Sequence, residues 1–457
     1  MTTLSNTEAY SLLSLSLACV GVLANTLQGD GGAPLTASIA FSGLAFSFCY
    51  ALIRWLGNAF IKRGFKGRDL CKLKQTEIPE TMGAVCAMVY LFILIAFIPW
   101  PFYKDIVAAT SGGGNRDVMK ELDQLETGRL LHRFPHNKLA SYLSAILSLQ
   151  SIALLGIGDD LFDIRWRHKV LIPAVAAIPI LIVYFVDFGV TQMVVPTPLR
   201  PYLGELFDLG WLYYAYMALL SIFSSNSINI LAGINGIEVA QSLVIALLIV
   251  LNDVLYLSFT PYPHPATDSH LFSLYLLLPF IGVSVALLMH NWYPAKVFVG
   301  DTYCYFAGMV FAVDGILGHF SKTLILLLLP QAFNFVYSAP QLFHIVPCPR
   351  HRLPHFNPRT GLLECSRAEF KKPLAKPIAE GLKLLHRLRM LDVEIDEKGQ
   401  VVSSSNFTII NLWLVWFGPM REDRLAVGLL AFQTAIGLLG LFIRHRMAML
   451  VFTQDNW

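Results

Sequence analysis

The stretch NSINILAGINGIE, at residues 226–238, is a polar segment between apolar runs near 209–224 and 239–258. Its amide and carboxylate side chains have no place in the core of a lipid bilayer, where an unpaired polar group costs several kcal/mol. The segment therefore predicts either a loop at one face of a membrane or a broken helix end that lines a water-filled cavity. Two shorter stretches, GIGDD at 156–160 and FVGDT at 298–302, have the same character. If all three open on one face, they can build one site.

The composition of the 457-residue chain is typical of a membrane protein, because 55% of its residues are hydrophobic and 14% are charged. The apolar residues come in runs of about 20, the length that a helix needs at 1.5 Å per residue to cross roughly 30 Å of hydrocarbon. The sequence therefore predicts an all-α polytopic membrane protein. A formal net charge of +3 is too small to indicate a nucleic-acid partner. The seven cysteines show no metal-ligand spacing and are expected to be ordinary buried thiols.

Eleven apolar runs are candidate transmembrane helices, or ten if the first is a signal-like segment, and we expect the first to be a retained span. The runs lie near 8–28, 35–57, 83–103, 139–157, 170–187, 209–225, 237–258, 272–290, 301–318, 322–343 and 425–450.

We divide the chain into a transmembrane core at 1–343, a cytosolic insertion at 344–424, and a last transmembrane helix with a C-terminal tail at 425–457. The insertion is rich in proline and basic residues. Its short alternating segments predict a small mixed α/β unit just before the last helix.

The distribution of lysine and arginine predicts the orientation of the chain in the membrane. The connections at 58–80 and 344–424 are strongly basic, whereas 188–208 holds Arg200 alone and 259–271 holds no lysine or arginine. Because cytosolic connections carry the excess of positive charge, 58–80 and 344–424 are expected in the cytosol. The same alternation of spans puts all three polar stretches on the cytosolic face, which is the main reason to expect one shared site.

Carboxylates and amides in these stretches are candidate ligands for a hard cation. Asp159 and Asp160 end one apolar run, and Asp301 begins another. With an amide oxygen from Asn229 or Asn235, Asp301 offers the few oxygen ligands that magnesium takes from a protein, leaving room for water and phosphate. The structural alternatives are that the aspartate pair only marks the end of a span and that Asp301 is a helix N-cap.

Basic side chains form a second group of candidate site residues on the same face. Arg350, His351 and Arg352 are consecutive, and Lys169 and Lys296 lie in other cytosolic connections. Guanidinium groups suit phosphate oxygens and lysines act as point charges, although such residues are also ordinary positive-inside anchors. A cytosolic site with acids, amides and bases that faces lipid suits a phosphorylated substrate meeting a lipid. A magnesium ion there would neutralise a diphosphate.

Five stretches together match one known family in order along the chain. They are IPE at 78–80, GDDLFDIRWRHK at 158–169, NILAGINGIE at 229–238, HNWYPAKVFVGDTYCYFAG at 290–308 and PCPRHR at 347–352. The chain resembles the polyprenyl-phosphate N-acetylhexosamine-1-phosphate transferase family, and the last stretch resembles its eukaryotic members.

The resemblance implies a reaction, a place and a set of partners. Dolichyl phosphate attacks the sugar-bearing phosphate of UDP-GlcNAc, giving GlcNAc-diphosphodolichol and UMP, the first step of lipid-linked oligosaccharide synthesis for N-glycosylation. The implied cofactor is Mg²⁺, with Mn²⁺ as a substitute. The implied location is the endoplasmic reticulum membrane, with the site facing the cytosol. The implied partners are the two substrates, the lipid bilayer and a second copy of the chain.

The resemblance also implies roles for individual residues. Asp301 and Asn229 would hold the metal, and Asp159 and Asp160 match the paired acids that are proposed to orient or deprotonate the lipid phosphate. The residues implied to contact the diphosphate and the sugar are Lys169, Arg350, His351 and Arg352. The residues implied to lie near the uridine are Leu70, Glu80, Gly233, Asn235 and Phe298. Trp166 resembles a wall of the substrate pocket.

Three alternatives to this reaction stay open. A related transferase would use another nucleotide sugar or a shorter polyprenol. A nucleotide-sugar transporter also has about ten spans, but it should show internal repeats, and the polar stretches are not repeated. A catalytically silent scaffold is disfavoured by the intact set of acids and bases.

Overall fold

The structure is a computed structural model that describes residues 4–28, 33–73, 75–106, 134–259, 265–349, 352–370 and 374–452. Its helices are α1 Asn6–Gln28, α2 Pro34–Lys62, α3 Gly83–Phe97, α4 His136–Phe162, α5 Trp166–Lys169, α6 Ile172–Ala176, α7 Ile178–Asp187, α8 Arg200–Leu203, α9 Trp211–Ile230, α10 Ile237–Phe259, α11 Pro265–Asn291, α12 Gly300–Leu317, α13 Ser321–Leu327, α14 Leu329–Leu342, α15 Lys376–Arg387, α16 Ile409–Phe417 and α17 Glu422–Phe442.

The strands are short and all pair antiparallel. They are β1 Lys66–Arg68 with β2 Glu77–Pro79, β3 Gln192–Val194 with β4 Leu206–Asp208, β5 His355–Asn357 with β6 Leu362–Glu364, and a three-stranded sheet in the order β7 Arg367–Glu369, β9 Val401–Ser405, β8 Val393–Ile395.

Each of the eleven apolar runs forms a helix, or a pair of consecutive helices, in the structure. Among the described residues, six helices are long and apolar enough to cross a membrane: α1, α2, α4, α10, α11 and the continuous segment that begins with α17. The count is seven if α13 and α14, which are bent by 65° at their junction, form one span. The chain is therefore a mostly helical polytopic membrane protein, as its composition predicts.

Helix α12 is the centre of the bundle, because every residue from Thr302 to Leu317 is buried. Small residues let three neighbouring helices approach it closely. A Cβ added to Gly308 would lie 2.2 Å from the Ser224 carbonyl oxygen of α9, and one added to Gly156 of α4 would lie 2.6 Å from the Thr302 Cα. A Cβ added to Gly83 of α3 would lie 2.4 Å from Cβ of Tyr303. These contacts fix the position and rotation of the helix that carries Asp301.

The 344–424 segment contains the β5–β6 pair, the three-stranded sheet and the amphipathic helix α15, so its described residues are mixed α/β in structure. It is attached to the bundle by polar side chains on one face of α14. Asn334 Oδ1 accepts from the Ile409 backbone N–H at 2.8 Å, Ser338 donates to the Phe407 carbonyl at 2.6 Å, and Gln341 donates to Asn406 at 2.8 Å. Because all three α14 side chains are buried, these bonds hold the insertion against the membrane core.

We predict that Gly308→Val lowers the midpoint of thermal unfolding in detergent, because the added methyl groups force α9 and α12 apart. Overpacking of this kind costs about 1–3 kcal/mol. The matched control is Gly21→Val in α1, where a Cβ meets nothing within 4 Å. Equal unfolding midpoints for the two variants would contradict the close packing of α12.

Candidate active site

A cavity of about 400 Å³ opens where the ends of several helices meet the β1–β2 hairpin. Seven residues singled out from the sequence line it: Leu70, Glu80, Asn229, Gly233, Asn235, Phe298 and Asp301. They come from three separate parts of the chain, the 58–80 connection, the 226–238 segment and the 298–302 stretch. The polar segment at 226–238 is indeed a broken helix end, since α9 ends at Ile230 and α10 begins at Ile237.

The N-terminus of α12 is capped by Asp160, which belongs to α4. The Asp160 carboxylate accepts from the Asp301 N–H at 2.7 Å, from the Thr302 N–H at 3.2 Å and from the Thr302 hydroxyl at 2.5 Å. A carboxylate satisfies the free N–H groups of a helix N-terminus and is favoured by the helix dipole. The interpretation of Asp301 as the N-cap is therefore wrong, because Asp160 caps the helix and leaves the Asp301 side chain free of that role.

Gly300 allows Asp160 to come this close. Its backbone has a φ of 76°, and a Cβ there would lie 2.7 Å from Asp160 Oδ2 and 2.8 Å from the Thr81 Cα. A larger residue at position 300 would be strained by its own φ and would displace the capping carboxylate.

Lys169 joins the other two acids. Its Nζ lies 2.7 Å from Asp159 Oδ2 and 3.0 Å from Asp301 Oδ2. Asp159 Oδ1 accepts from the Ile164 backbone N–H at 3.0 Å, and its side chain is 1% exposed against 35% for Asp301. The Asp301 carboxylate is thus more exposed than that of Asp159, and its Oδ2 accepts from Lys169.

The charges of the cavity are coupled through Asp301. Burial lowers the pKa of Lys169, but the Asp301 and Asp159 carboxylates outweigh it, so that its pKa lies above its ordinary value. Burial, with a smaller effect of Asp301, raises the pKa of Glu80. Lys169 is therefore protonated and positively charged. The ionised form of Glu80 would be stabilised by a cation nearby.

The residues around Asp301 fit a magnesium ion by their chemistry. Asp301 and Asn229, whose carboxylate and amide oxygens are hard donors, line one cavity. Magnesium takes one or two such ligands from a protein and completes its octahedron with water and substrate phosphates.

A second polar network on the cavity wall was missed by sequence reasoning. Lys72 Nζ contacts Asn235 Oδ1 and Asp69 Oδ2, each at 3.0 Å, and forms an ion pair with Glu422 at the start of α17. Glu422 Oε1 in turn accepts from the Asn235 backbone N–H at 2.6 Å. Sequence reasoning treated the basic stretch that holds Lys72 only as a sign of orientation, and Glu422 falls in the tail of the insertion.

Position 233 requires a glycine because of its backbone conformation and its close contact with Leu353. Its φ is 116°, its N–H donates to Glu238 Oε1 at 3.0 Å, and an added Cβ would lie 2.1 Å from Leu353 Cδ2. Leu353 comes from the insertion, so this contact brings the insertion to the edge of the cavity.

The remaining predicted residues do not line the cavity, or cannot be placed. Arg352 is not a lining residue, but its neighbour Leu353 is, and Arg352 Nη1 is buried without a hydrogen-bond partner in the described part of the chain. Burial lowers the pKa of this guanidinium group. Arg350, His351 and the side chain of Trp166 lie outside what the structure describes.

Fold and site together define a polytopic membrane protein with an acidic cavity suited to a cation and phosphates at one end of its helices. A family model described as "Glycosyl transferase family 4" matches residues 142–319, which run from α4 to just beyond α12.

Comparison with individual proteins identifies the family more narrowly. The chain is 53% identical to the UDP-N-acetylglucosamine–dolichyl-phosphate N-acetylglucosaminephosphotransferase of Saccharomyces cerevisiae, over 96% of this chain and 98% of that protein. It is 51% identical to the Schizosaccharomyces pombe protein of the same name, over 94% and 96% of the two chains. A probable undecaprenyl-phosphate N-acetylglucosaminyl 1-phosphate transferase of Bacillus subtilis is 31% identical over 39% and 45%. The chain belongs to the UDP-N-acetylglucosamine–dolichyl-phosphate N-acetylglucosaminephosphotransferase family, which confirms the resemblance seen in its motifs.

We predict that Asp160→Ala lowers the free energy of unfolding by roughly 1 kcal/mol, whereas Asp160→Asn lowers it by only a few tenths, because asparagine still caps a helix. Thermal or denaturant unfolding in detergent measures the difference. Asp268→Ala, which removes an exposed carboxylate paired with Lys138, is the control. If Asp160→Ala and Asp160→Asn were equally destabilising, capping would not be what Asp160 contributes.

Proposed function

We propose that the cavity around Asp301 is where this chain transfers N-acetylglucosamine 1-phosphate from UDP-N-acetylglucosamine to dolichyl phosphate. The products are GlcNAc-diphosphodolichol and UMP. The observation that carries the proposal is the partly exposed Asp301 carboxylate, which lies in one cavity with Asn229 and 3.0 Å from the Lys169 ammonium.

In this proposal the charge of each residue determines its role. Asp301 and Asn229 hold Mg²⁺, with Mn²⁺ as a substitute, and the bound cation supplies neutralisation of the diphosphate. Lys169 places a positive charge beside the phosphates, and Asp159 holds Lys169 in position through its 2.7 Å contact. Asp160 keeps the start of α12 in place, and both of its oxygens already accept hydrogen bonds from the first turn of that helix.

The transfer needs no general base. An oxygen of the lipid phosphate forms a bond to the sugar-bearing phosphorus, and the bond from that phosphorus to the bridging oxygen breaks, so that UMP leaves with that oxygen. A phosphate monoester has a second pKa near 6 and is largely a dianion at neutral pH. Direct in-line attack therefore fits the structure, in which Asp159 and Asp160 are both engaged in hydrogen bonds within the protein. Catalysis is then mainly positioning and charge stabilisation.

The proposal also includes the cellular membrane in which the reaction takes place and the face on which the cavity opens. The basic connections at 58–80 and 344–424 support a cavity that faces the cytosol, and the substrates support the endoplasmic reticulum membrane. Assembly into a homodimer stays a prediction.

The transporter hypothesis is disfavoured by two observations. The polar stretches are not repeated along the chain, and the insertion packs onto the bundle at the cavity rather than standing apart from it.

We predict that purified protein with UDP-N-acetylglucosamine, dolichyl phosphate and Mg²⁺ releases UMP and forms the lipid-linked product. Asp301→Asn should lower the rate by a factor of about 100 or more, because an amide cannot neutralise the cation as a carboxylate does. Product formation is followed with radiolabelled sugar extracted into organic solvent.

The matched control is Asp268→Asn, which makes the same change in a carboxylate that is 60% exposed. It should turn over at the rate of the unchanged chain, and chelation of divalent metal should stop both. Folded protein that exchanges labelled UDP-N-acetylglucosamine across liposomes without releasing UMP would overturn the proposal and favour a transporter.

A further inference from the structure

Helix α15 in the insertion is apolar over a wider face than the insertion itself covers. One side of the helix packs into the insertion, where Leu382 is buried and Ile378 and Leu385 are partly buried beside it. Leu384 and Leu388, one turn apart, lie outside this buried side and are 56% and 59% exposed. The two leucines form an apolar stripe that nothing in the described part of the chain covers.

The charged residues of α15 form a separate stripe. They recur at intervals of three and four residues and therefore share one side of the helix. They are Lys376, Glu380, Lys383 and Arg387. At 100° per residue, the stripe with Leu384 and Leu388 lies between the charged stripe and the buried side. A helix with this order of faces is typical of one that lies along a membrane surface.

The C-terminal end of α15 is bound to two elements of the helix bundle. Trp416 Nε1 on α16 donates to the Arg389 carbonyl at 2.8 Å, and the Tyr337 hydroxyl on α14 donates to the Met390 carbonyl. Helix α14 forms, with α13, the bent pair that is long and apolar enough to span a membrane. Phe333 stacks on Tyr337 with ring centroids 5.7 Å apart and is exposed, so the apolar outer surface of the bundle reaches this contact.

Helix α16 indicates the level of this contact relative to the membrane. A Cβ added to Gly428, in the second turn of the spanning helix α17, would lie 2.9 Å from the Trp413 side chain of α16. The Trp413 and Phe417 rings are 4.6 Å apart. Helix α16 thus packs along the first turns of α17 and ends, with Trp416 and Phe417 exposed, near the residue Glu422 that lines the cavity.

Four exposed apolar side chains therefore lie at the end of the bundle where the cavity opens. We call them the anchor patch: Leu384, Leu388, Trp416 and Phe417. Leu388 precedes Arg389, whose carbonyl binds Trp416, so the two helices contribute neighbouring parts of the patch. Tryptophan is enriched at the boundary between hydrocarbon and lipid headgroups.

We propose that the anchor patch inserts into the lipid leaflet on the side where the cavity opens, with the charged stripe of α15 among anionic headgroups. The stripe has three basic residues and one acidic residue, which suits lipid phosphates. Continuity of the patch with the outer surfaces of α14 and α17 favours lipid over a protein partner. Because the insertion also supplies Leu353 at the edge of the cavity, its seat in the leaflet helps to hold that edge in place.

The test measures how deeply the patch lies in lipid, using the full-length chain in lipid nanodiscs, where both membrane faces are open to the buffer. The half-buried cysteines Cys348 and Cys365 are first replaced by serine. Leu384→Cys and Phe417→Cys then each carry one fluorescent label. We expect lipids with brominated acyl chains to quench both labels at least twofold, and iodide in the buffer to quench them little.

Val402→Cys is the matched control, since Val402 is 43% exposed on β9. Its neighbour Val401 faces the buried side of α15, and successive residues of a strand point to opposite faces. The Val402 label should therefore be quenched by iodide and not by brominated lipid.

The proposal is overturned if the Leu384 and Phe417 labels behave like the Val402 label, which would leave the patch to water or to a protein partner. Quenching by brominated lipid should also be stronger in nanodiscs that contain phosphatidylserine than in phosphatidylcholine alone. Equal quenching in the two would overturn the placement of the charged stripe among anionic headgroups. No turnover is required, so failure of the proposed function is a separate result.

Discussion

The capping of α12 by the Asp160 carboxylate is the interaction on which the site depends. Asp160 comes from α4, and its two oxygens accept hydrogen bonds from the backbone N–H groups of Asp301 and Thr302. The cap therefore fixes the first turn of α12 relative to α4, and with it the direction of the Asp301 side chain. The rest of α12 is surrounded by other helices, whose close approach at Gly308, Gly156 and Gly83 leaves it no room to rotate. A rigid helix with a fixed first turn holds the Asp301 carboxylate in one position on the wall of the cavity.

Two partly buried lysines organise the remaining charge in the same way. Lys169 bridges Asp159 and Asp301, and Lys72 bridges Asp69 and Glu422. Buried ion pairs gain little net stability, because the cost of removing charges from water offsets most of their attraction. Their value here is positional: each ammonium group joins elements that are far apart in sequence, Lys72 and Glu422 being 350 residues apart. Each of the two lysines thus sets the orientation of a neighbouring side chain, Asp301 in one case and Asn235 in the other.

The sequence predicts the helices and the meeting of the polar stretches, because both follow from hydropathy and the alternation of spans. Apolar runs near 20 residues long can satisfy their backbone in lipid only as helices. Polar stretches between them must collect at a membrane face, and the basic connections determine which face. The family resemblance then supplied residues that do line one cavity, such as Asn229, Gly233 and Phe298.

Pairwise geometry is the part that sequence reasoning could not supply. Asp160 and Asp301 are both acidic residues at helix ends, and nothing in their local sequence indicates that one caps the other's helix. Lys72 lies among basic residues that served only to orient the chain, so its contact with Asn235 had no separate signal.

We propose that Asp301, whose backbone N–H is bound by Asp160, is the protein carboxylate that binds the metal together with the nucleotide sugar. Electron paramagnetic resonance of Mn²⁺ titrated into the purified chain with UDP-N-acetylglucosamine tests it without requiring turnover. We expect a bound Mn²⁺ signal for the unchanged chain and for Asp160→Asn, and its loss in Asp301→Asn. Equally tight Mn²⁺ binding by folded Asp301→Asn would contradict it and would place the metal on other ligands.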